Sequence, residues 1–305
     1  GLSPLEGPAL FGLLPYTELV DGVWYARGGL SAISEALRGL AERCGATIEL
    51  GRAVRRFELA PGGTRVSAVT FEDGRREEAR VVLANCDLPY AYRALLGRPL
   101  RRARLRYTSS GYMLFLACDA QWDTVLHHNV LFGANYKDSF RAIFDERRVP
   151  EDPSVYVANP ARTDDTMAPA GTSALYVLVP VPHLDPEGAA TRGPDWRDVS
   201  FRNRLKEKVL ARIEATIAPG LRQAIRREHE MTPLDWQARF SLEHGSAFGL
   251  SHTLHQVGAF RPPNRDPEIQ NLYFVGASTQ PATGIPNVLR GAEHVARRIT
   301  EEQRG

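Results

Sequence analysis

NLYFVGASTQPATGIPNVLRGAEHVARRITEE, residues 271–302, is the stretch whose reading decides the fold. It opens on an apolar run, residues 272–275, that reads as a buried strand, and it turns through Gly276, Ala277 and Ser278. A loop carrying Pro281, Thr283, Gly284 and Pro286 comes next. Beyond it Val288, Leu289, Ala292, Val295, Ala296 and Ile299 recur at helical spacing, which predicts an amphipathic helix. Thr283 is placed to cap that helix, and Pro286 suits its first turn, where backbone donors lack helical partners. Strand, glycine turn and helix in this order gather free N–H groups and the positive end of a helix dipole at one spot. That spot suits an anion.

Upstream, Gly28-Gly29 leads into a helix with Leu30, Ile33, Leu37, Leu40 and Ala41 on one side, stopped at Gly45. Residues 47–50, 53–59 and 64–71 read as strands, Asp73-Gly74 as a hairpin turn, and residues 78–84 as a fourth strand ending at Asn85. Helix, strand and a small antiparallel meander are the layout of the later half of a dinucleotide-binding domain. After Pro89 the character changes. Residues 109–118, 129–132, 155–158 and 174–181 read as strands, and 90–96, 138–147 and 195–217 as helices. Such a mixture suits a separate α+β domain over a sheet. The expected fold class is therefore α/β plus α+β, a partial Rossmann-like domain with a mixed-sheet second domain. Residues 25–95 and 258–305 are assigned to the first domain and 96–257 to the second. Residues 1–24 hold two apolar patches, at 8–14 and 19–24, expected to pack in a core or, alternatively, to line a non-polar channel or dip into a membrane surface.

Composition narrows the function classes. At 305 residues the chain has the length of two domains, and 43% apolar with 24% charged residues is ordinary for a soluble fold. A net charge of +2 is too small to argue for nucleic acid. The basic clusters at 101–106 and 222–227 read as solvated faces. Three cysteines, Cys44, Cys86 and Cys118, form no C-x-x-C and are expected as free thiols in a reducing compartment. No apolar run approaches the roughly 18 residues of a membrane-spanning helix. The start at Gly1, without methionine and within an apolar segment, reads as a cut chain.

The sequence contains no G-x-G-x-x-G and no Walker-type loop, so a dinucleotide held here would lack its usual pyrophosphate grip. Just upstream of the deciding strand, FRPPNRD (260–266) offers Arg261 and Asn264 as weak candidates for site-lining polar groups, with a proline-stiffened turn as the alternative. His244, His252 and His255 have a spacing compatible with a metal but no companion cysteine or carboxylate in a recognised pattern, so no metal is expected. His127-His128 reads as a loop pair, and Ser246 lacks the context of a hydrolase nucleophile.

Several of these residues belong to blocks that carry a family resemblance. LPY (14–16), GVW (22–24), GGL (28–30), NCDLPYAY (85–92), PEDPSVY (150–156), ARTD (161–164), PLDWQARFSLEHGSAF (233–248), FRPPNRD and residues 272–286 occur in order across nearly the whole chain. Together they resemble the C-terminal two-thirds of bacterial phytoene desaturases, in the carotenoid-desaturase branch of the FAD-dependent amine-oxidase-like superfamily. The resemblance implies a glutathione-reductase-type FAD domain and removal of hydrogens from a long polyisoprenoid, with FAD as acceptor. It also implies peripheral contact with the inner face of the cell membrane and no nucleic-acid partner; oligomeric state stays open. Carried over by position, Val54 meets the adenine through its backbone, and Gly276 and Ala277 lie near the ribityl–pyrophosphate region. Gly284, Ile285 and Pro286 lie beneath the flavin ring, and Asn85 returns toward the cofactor. The N-terminal βαβ unit of the family has no counterpart, and Gln280 and Ala282 stand where histidine and glycine are frequent. Alternatives kept open are another flavin-dependent carotenoid oxidoreductase or isomerase, an amine oxidase, and an inactive or lipid-binding module.

Overall fold

The computed structural model describes residues 2–100, 105–184 and 193–304. Residues 101–104, most of the first basic cluster, and 185–192, most of the connector after Leu184, lie outside the described residues. In chain order the elements begin with α1 (Leu13–Asp21), α2 (Ser31–Arg43), β1 (Val54–Leu59), β2 (Val66–Phe71), β3 (Arg76–Glu78) and β4 (Val82–Ala84). The single turn α3 (Leu88–Tyr90) runs into a π-helical turn, Ala91–Leu95. Next come β5 (Ser110–Cys118), β6 (His128–Leu131), α4 (Tyr136–Phe144), β7 (Val155–Ala158) and β8 (Ser173–Val181). The chain continues through α5 (Val199–Thr216), α6 (Leu221–Ala224), β9 (Ile225–Met231), α7 (Pro233–Phe240), β10 (Leu272–Phe274) and α8 (Ile285–Glu302).

Residue contacts divide these into two units, residues 1–9, 49–108 and 236–305 in one, and 10–48 and 109–235 in the other. In the second unit, alternation along β8 buries Ser173, Leu175, Val177, Val179 and Val181 on one face. β8 pairs antiparallel with β5 along its whole length, from Ser110 opposite Val181 to Cys118 opposite Ser173. The sheet order is β6-β7-β8-β5-β9. α5, capped by the Asp198 carboxylate accepting the Ser200 N–H at 2.8 Å, lays Leu205, Val209, Leu210 and Ile213 on the buried cluster with Trp196 and Leu221. Each such side chain contributes about 1.5–3 kcal/mol on burial. The basic run around residues 222–227 is solvated, as expected, but half of it belongs to β9, an edge strand. Charged side chains on an edge discourage further pairing, and here Arg226 pairs with Asp119 and Lys206 with Glu228.

The first unit holds two small sheets, β1-β2-β3 antiparallel and β4-β10 parallel. The strand expected over residues 78–84 is broken. β3 ends at Glu78 and β4 starts at Val82, because the chain changes sheets between them. The Asn271 side chain bridges the gap, accepting the Val66 N–H at 2.8 Å and donating to Val66 O at 2.8 Å and Arg80 O at 3.0 Å. Phe57, Val66, Val82, Ala84, Leu88, Ala91, Tyr92, Leu95, Ile269, Leu272 and Phe274 form the core. Residues 47–50 form no strand.

One expectation about the N-terminal part is corrected. Core packing of residues 1–24 fails, since no residue of α1 is buried and Leu19 and Trp24 are 87% and 88% exposed. The unit boundaries also depart from those drawn at 24/25, 95/96 and 257/258. Residues 25–48 join the second unit, where the Gly28 N–H donates to Asp164 Oδ2 at 2.6 Å and Arg27 pairs with Asp165 at 2.9 Å. These contacts span more than a hundred residues, which no local pattern reveals. Among the described residues no helix is long and apolar enough to cross a membrane, and Cys44, Cys86 and Cys118 are free.

Candidate functional site

β4 and β10 run parallel, with Leu272 opposite Val82 and Phe274 opposite Ala84, so both release the chain at the same edge. The carboxyl ends of neighbouring parallel strands are where α/β sheets take their ligands. The Val275 N–H donates to Ala84 O at 3.1 Å and carries the pairing one residue further. Asn85 and Gly276 then stand side by side. A Cβ on Gly276 would lie 2.8 Å from Asn85 Oδ1, and its φ of +107° is one that side chains rarely adopt. Glycine is therefore required twice over at this turn.

Arg261 holds the chain beyond the turn. Its side chain is fully buried, and Nε donates to Thr279 O at 2.9 Å while Nη2 donates to Ala277 O and to Thr283 Oγ1 at 3.5 Å. Further donation reaches Gln256 O at 3.2 Å, Leu250 O at 3.3 Å and Ser251 O at 3.4 Å. The guanidinium is a clamp on carbonyl oxygens, and burial lowers its pKa to about 10, which leaves it charged at neutral pH. Asn264 acts alongside it, donating to Phe274 O at 3.1 Å, Thr279 Oγ1 at 3.2 Å and Gln280 O at 2.9 Å. Both sequence candidates thus shape the turn from behind, Arg261 with no exposed surface of its own.

The loop into α8 is held by the same group of residues. The Thr283 N–H donates to His252 Nε2 at 3.3 Å, and Thr283 Oγ1 donates to Phe248 O at 3.3 Å. Burial, reinforced by the Arg261 charge, lowers the His252 pKa to about 4, so the ring is neutral and able to accept. Thr283 is consequently not the helix cap. Gly284 occupies the N-cap at φ +103° without a side-chain bond, with Pro286 in the first turn. Gly291, one helix face on, allows close packing, since a Cβ there would meet Gln280 O and Pro281 Cδ at 3.1 Å each.

Of the expected cofactor-contacting positions, Asn85, Gly276 and Ala277 meet at the strand ends, and Arg261 ties them through Thr283 to Gly284, Ile285 and Pro286. Val54 sits elsewhere, opposite Phe71 in the other sheet, half-buried on the core that β4 and β10 share. His252, Asp87 and Ser278 were missed as parts of this arrangement. Asp87 lay inside the NCDLPYAY block, but only tertiary contacts give it partners. Among the described residues no group of three or more His, Cys, Asp or Glu is placed to hold a metal. Tyr92, Pro262, Pro263 and Phe274 line a cavity of about 330 Å³ in this unit, at the low end for ligand pockets and small for a long polyisoprenoid.

The cluster has donors of the kind that an anionic ligand such as a flavin dinucleotide takes. Gly276 lets the turn close onto Asn85 Oδ1, and α8 presents first-turn N–H groups without helical acceptors, at the positive end of an 18-residue dipole.

Comparison with known proteins gives the family. The sequence profile of the flavin containing amine oxidoreductases matches residues 2–300. The chain is 48% identical over 304 residues to a zeta-carotene-forming phytoene desaturase of Myxococcus xanthus, covering 98% of this chain and 57% of that protein. It is 35% identical over 315 residues to a phytoene desaturase of Neurospora crassa, covering 99% and 52%. The chain thus spans little more than half the length of these relatives. Among solved structures, an oxidoreductase from Methanosarcina mazei matches with a TM-score of 0.56 at 17% identity, over 89% of this chain and 55% of that one, a likeness of fold.

Proposed function

Because this chain belongs to the flavin containing amine oxidoreductase family, we propose that it forms part of an FAD-dependent desaturase acting on a carotenoid precursor, a long polyisoprenoid such as phytoene. The observation that carries this reading is the join of the β4 and β10 ends, where Gly276 meets Asn85 and the α8 N-terminus is clamped alongside by Arg261. The 48% identity to a phytoene desaturase supports the choice of substrate.

FAD, when bound, supplies the two-electron acceptor for a carbon–carbon desaturation. Asn85, Gly276, Ala277, Gly284, Ile285 and Pro286 are the residues that would hold it. Gly276 lets the turn close on the Asn85 side chain, and the first turn of α8 offers N–H groups and a positive dipole end to negative charge. Such preorganised donors are worth a few kcal/mol in a water-poor site. Arg261 and Asn264 bear on the reaction indirectly, by holding the carbonyls of residues 277–280 so that the turn keeps its shape. His252 serves the same end by accepting the Thr283 N–H while uncharged. Val54 is proposed as a backbone contact for the adenine portion.

A hydrocarbon substrate is recognised by burial at about 25 cal/mol per Å², and it resides in lipid. Peripheral contact with the inner face of the cell membrane is part of the proposal. The exposed apolar side chains Leu13, Leu14, Leu19, Val23 and Trp24 support it.

Expression in full gene context, followed by incubation with FAD and phytoene-loaded liposomes, tests the reading. Bound flavin and the appearance of visible polyene absorption are expected. Stoichiometric flavin with no change in phytoene would move the activity to another substrate, and protein that stays colourless with excess FAD would overturn the reading.

A further inference from the structure

Asp87 is buried, 7% exposed, and occupies the N-cap position of α3. An aspartate there ordinarily serves its own helix, yet the main partners of this one lie elsewhere. Its carboxylate is committed to partners far along the chain. Oδ1 accepts the Ser278 hydroxyl, and Oδ2 accepts the Glu243 N–H at 2.9 Å. One side chain therefore joins three segments: the end of β4, the glycine turn after β10, and the loop at residues 241–246 after α7.

That loop is strained. Ser241 and His244 both adopt positive φ, 54° and 55°, in the left-handed region that disfavours side chains. It is pinned from several sides, by Asp87 on the Glu243 backbone, by Arg93 on the Glu243 carboxylate at 2.9 Å, and by Tyr107 edge-on to the His244 ring at 4.8 Å. Ser246 Oγ meets Thr108 Oγ1 at 2.7 Å. A buried carboxylate is a costly way to satisfy two donors where a neutral acceptor would serve. Its use here places a rigid, charge-assisted joint against the turn that carries Gly276 and Ala277.

We propose that Asp87 is a positioning residue whose carboxylate latches the turn Gly276–Thr279 to the loop 241–246, so that a flavin seated on the turn also orders the loop. The proposal rests on the reading of that turn as cofactor-facing. It extends the site to a segment, 241–246, that itself supplies none of the expected cofactor contacts.

Hydrogen exchange of the protein expressed in full gene context, with and without added FAD, tests it. In D87A, exchange should quicken at both 276–279 and 241–246 while β8 (173–181) is unchanged. S278A, which leaves the Glu243 bond in place, should still quicken 241–246. FAD should slow both segments in the wild type and only the turn in D87A. D87N keeps one carbonyl acceptor and should fall between, with FAD bound about tenfold more weakly, as expected for losing one charge-assisted bond. Should D87A fail to fold, D87N and S278A carry the test. Exchange that quickens in one segment alone, or a D87N protein identical to wild type at both, overturns the latch. A wild type that takes up no FAD sinks the flavin reading instead, and the latch is then decided by the ligand-free exchange.

Discussion

Replacing Arg261 with methionine should destabilise the first unit by about 3 kcal/mol. The side chain has no exposed surface, so its loss is not made good by water. Two of the carbonyl oxygens it serves, Ala277 O and Thr279 O, are bonded at short range, and three more lie between 3.2 and 3.4 Å. A buried acceptor left without a donor costs about 1–3 kcal/mol, so the two close ones alone give about 2–6 kcal/mol. Methionine fills much of the volume and removes a buried charge, which recovers part of this. A net near 3 kcal/mol is a large share of the 5–15 kcal/mol typical of a domain. Lysine keeps the charge but has one nitrogen for carbonyls spread around a fork, so R261K should recover less than half of the loss. Urea titration by circular dichroism gives the stability change, and hydrogen exchange at residues 272–279 shows whether the turn opens first. An R261M protein within 1 kcal/mol of wild type, with unchanged exchange at the turn, would show that the clamp does not hold these carbonyls.

Two further outcomes are expected at the same corner. G276A forces a methyl to within 2.8 Å of Asn85 Oδ1 at a φ of +107°, and should lose flavin uptake and about 1–3 kcal/mol of stability; N85A on top should restore part of the stability, because the contact is relieved while the backbone strain stays. His252 has a folded pKa near 4 against an ordinary value of 6.5. Between these limits the unfolded chain binds more protons, so stability should rise with pH across pH 4–6.5 and be fully present above it. H252Q, measured by urea titration at several pH values, should flatten that slope, and an unchanged slope would show that His252 is not its source.

Local sequence carried a great deal of this protein. Alternation along residues 173–181 and the continuous apolar run of 110–118 dictated two central strands, and the apolar spacing of residues 199–216 dictated the long helix over them, because burial of apolar surface is the main driving force for each. The glycines at 276 and 284, with Pro286 behind them, announced a strand–turn–helix junction, since positive φ and an absent amide proton are properties of single residues. Tertiary structure decided which side chains serve that junction. Arg261 looked like a site-lining charge and is a buried clamp; Thr283 looked like a cap and is held instead by His252; Asp87 carried no local signal and binds partners 156 and 191 residues away. The 78–84 strand split between two sheets for the same reason, as Asn271, almost two hundred residues on, supplies the bonds at the break. Periodicity reports which face of an element is dry. Where a polar side chain spends its hydrogen bonds is settled only when distant segments meet.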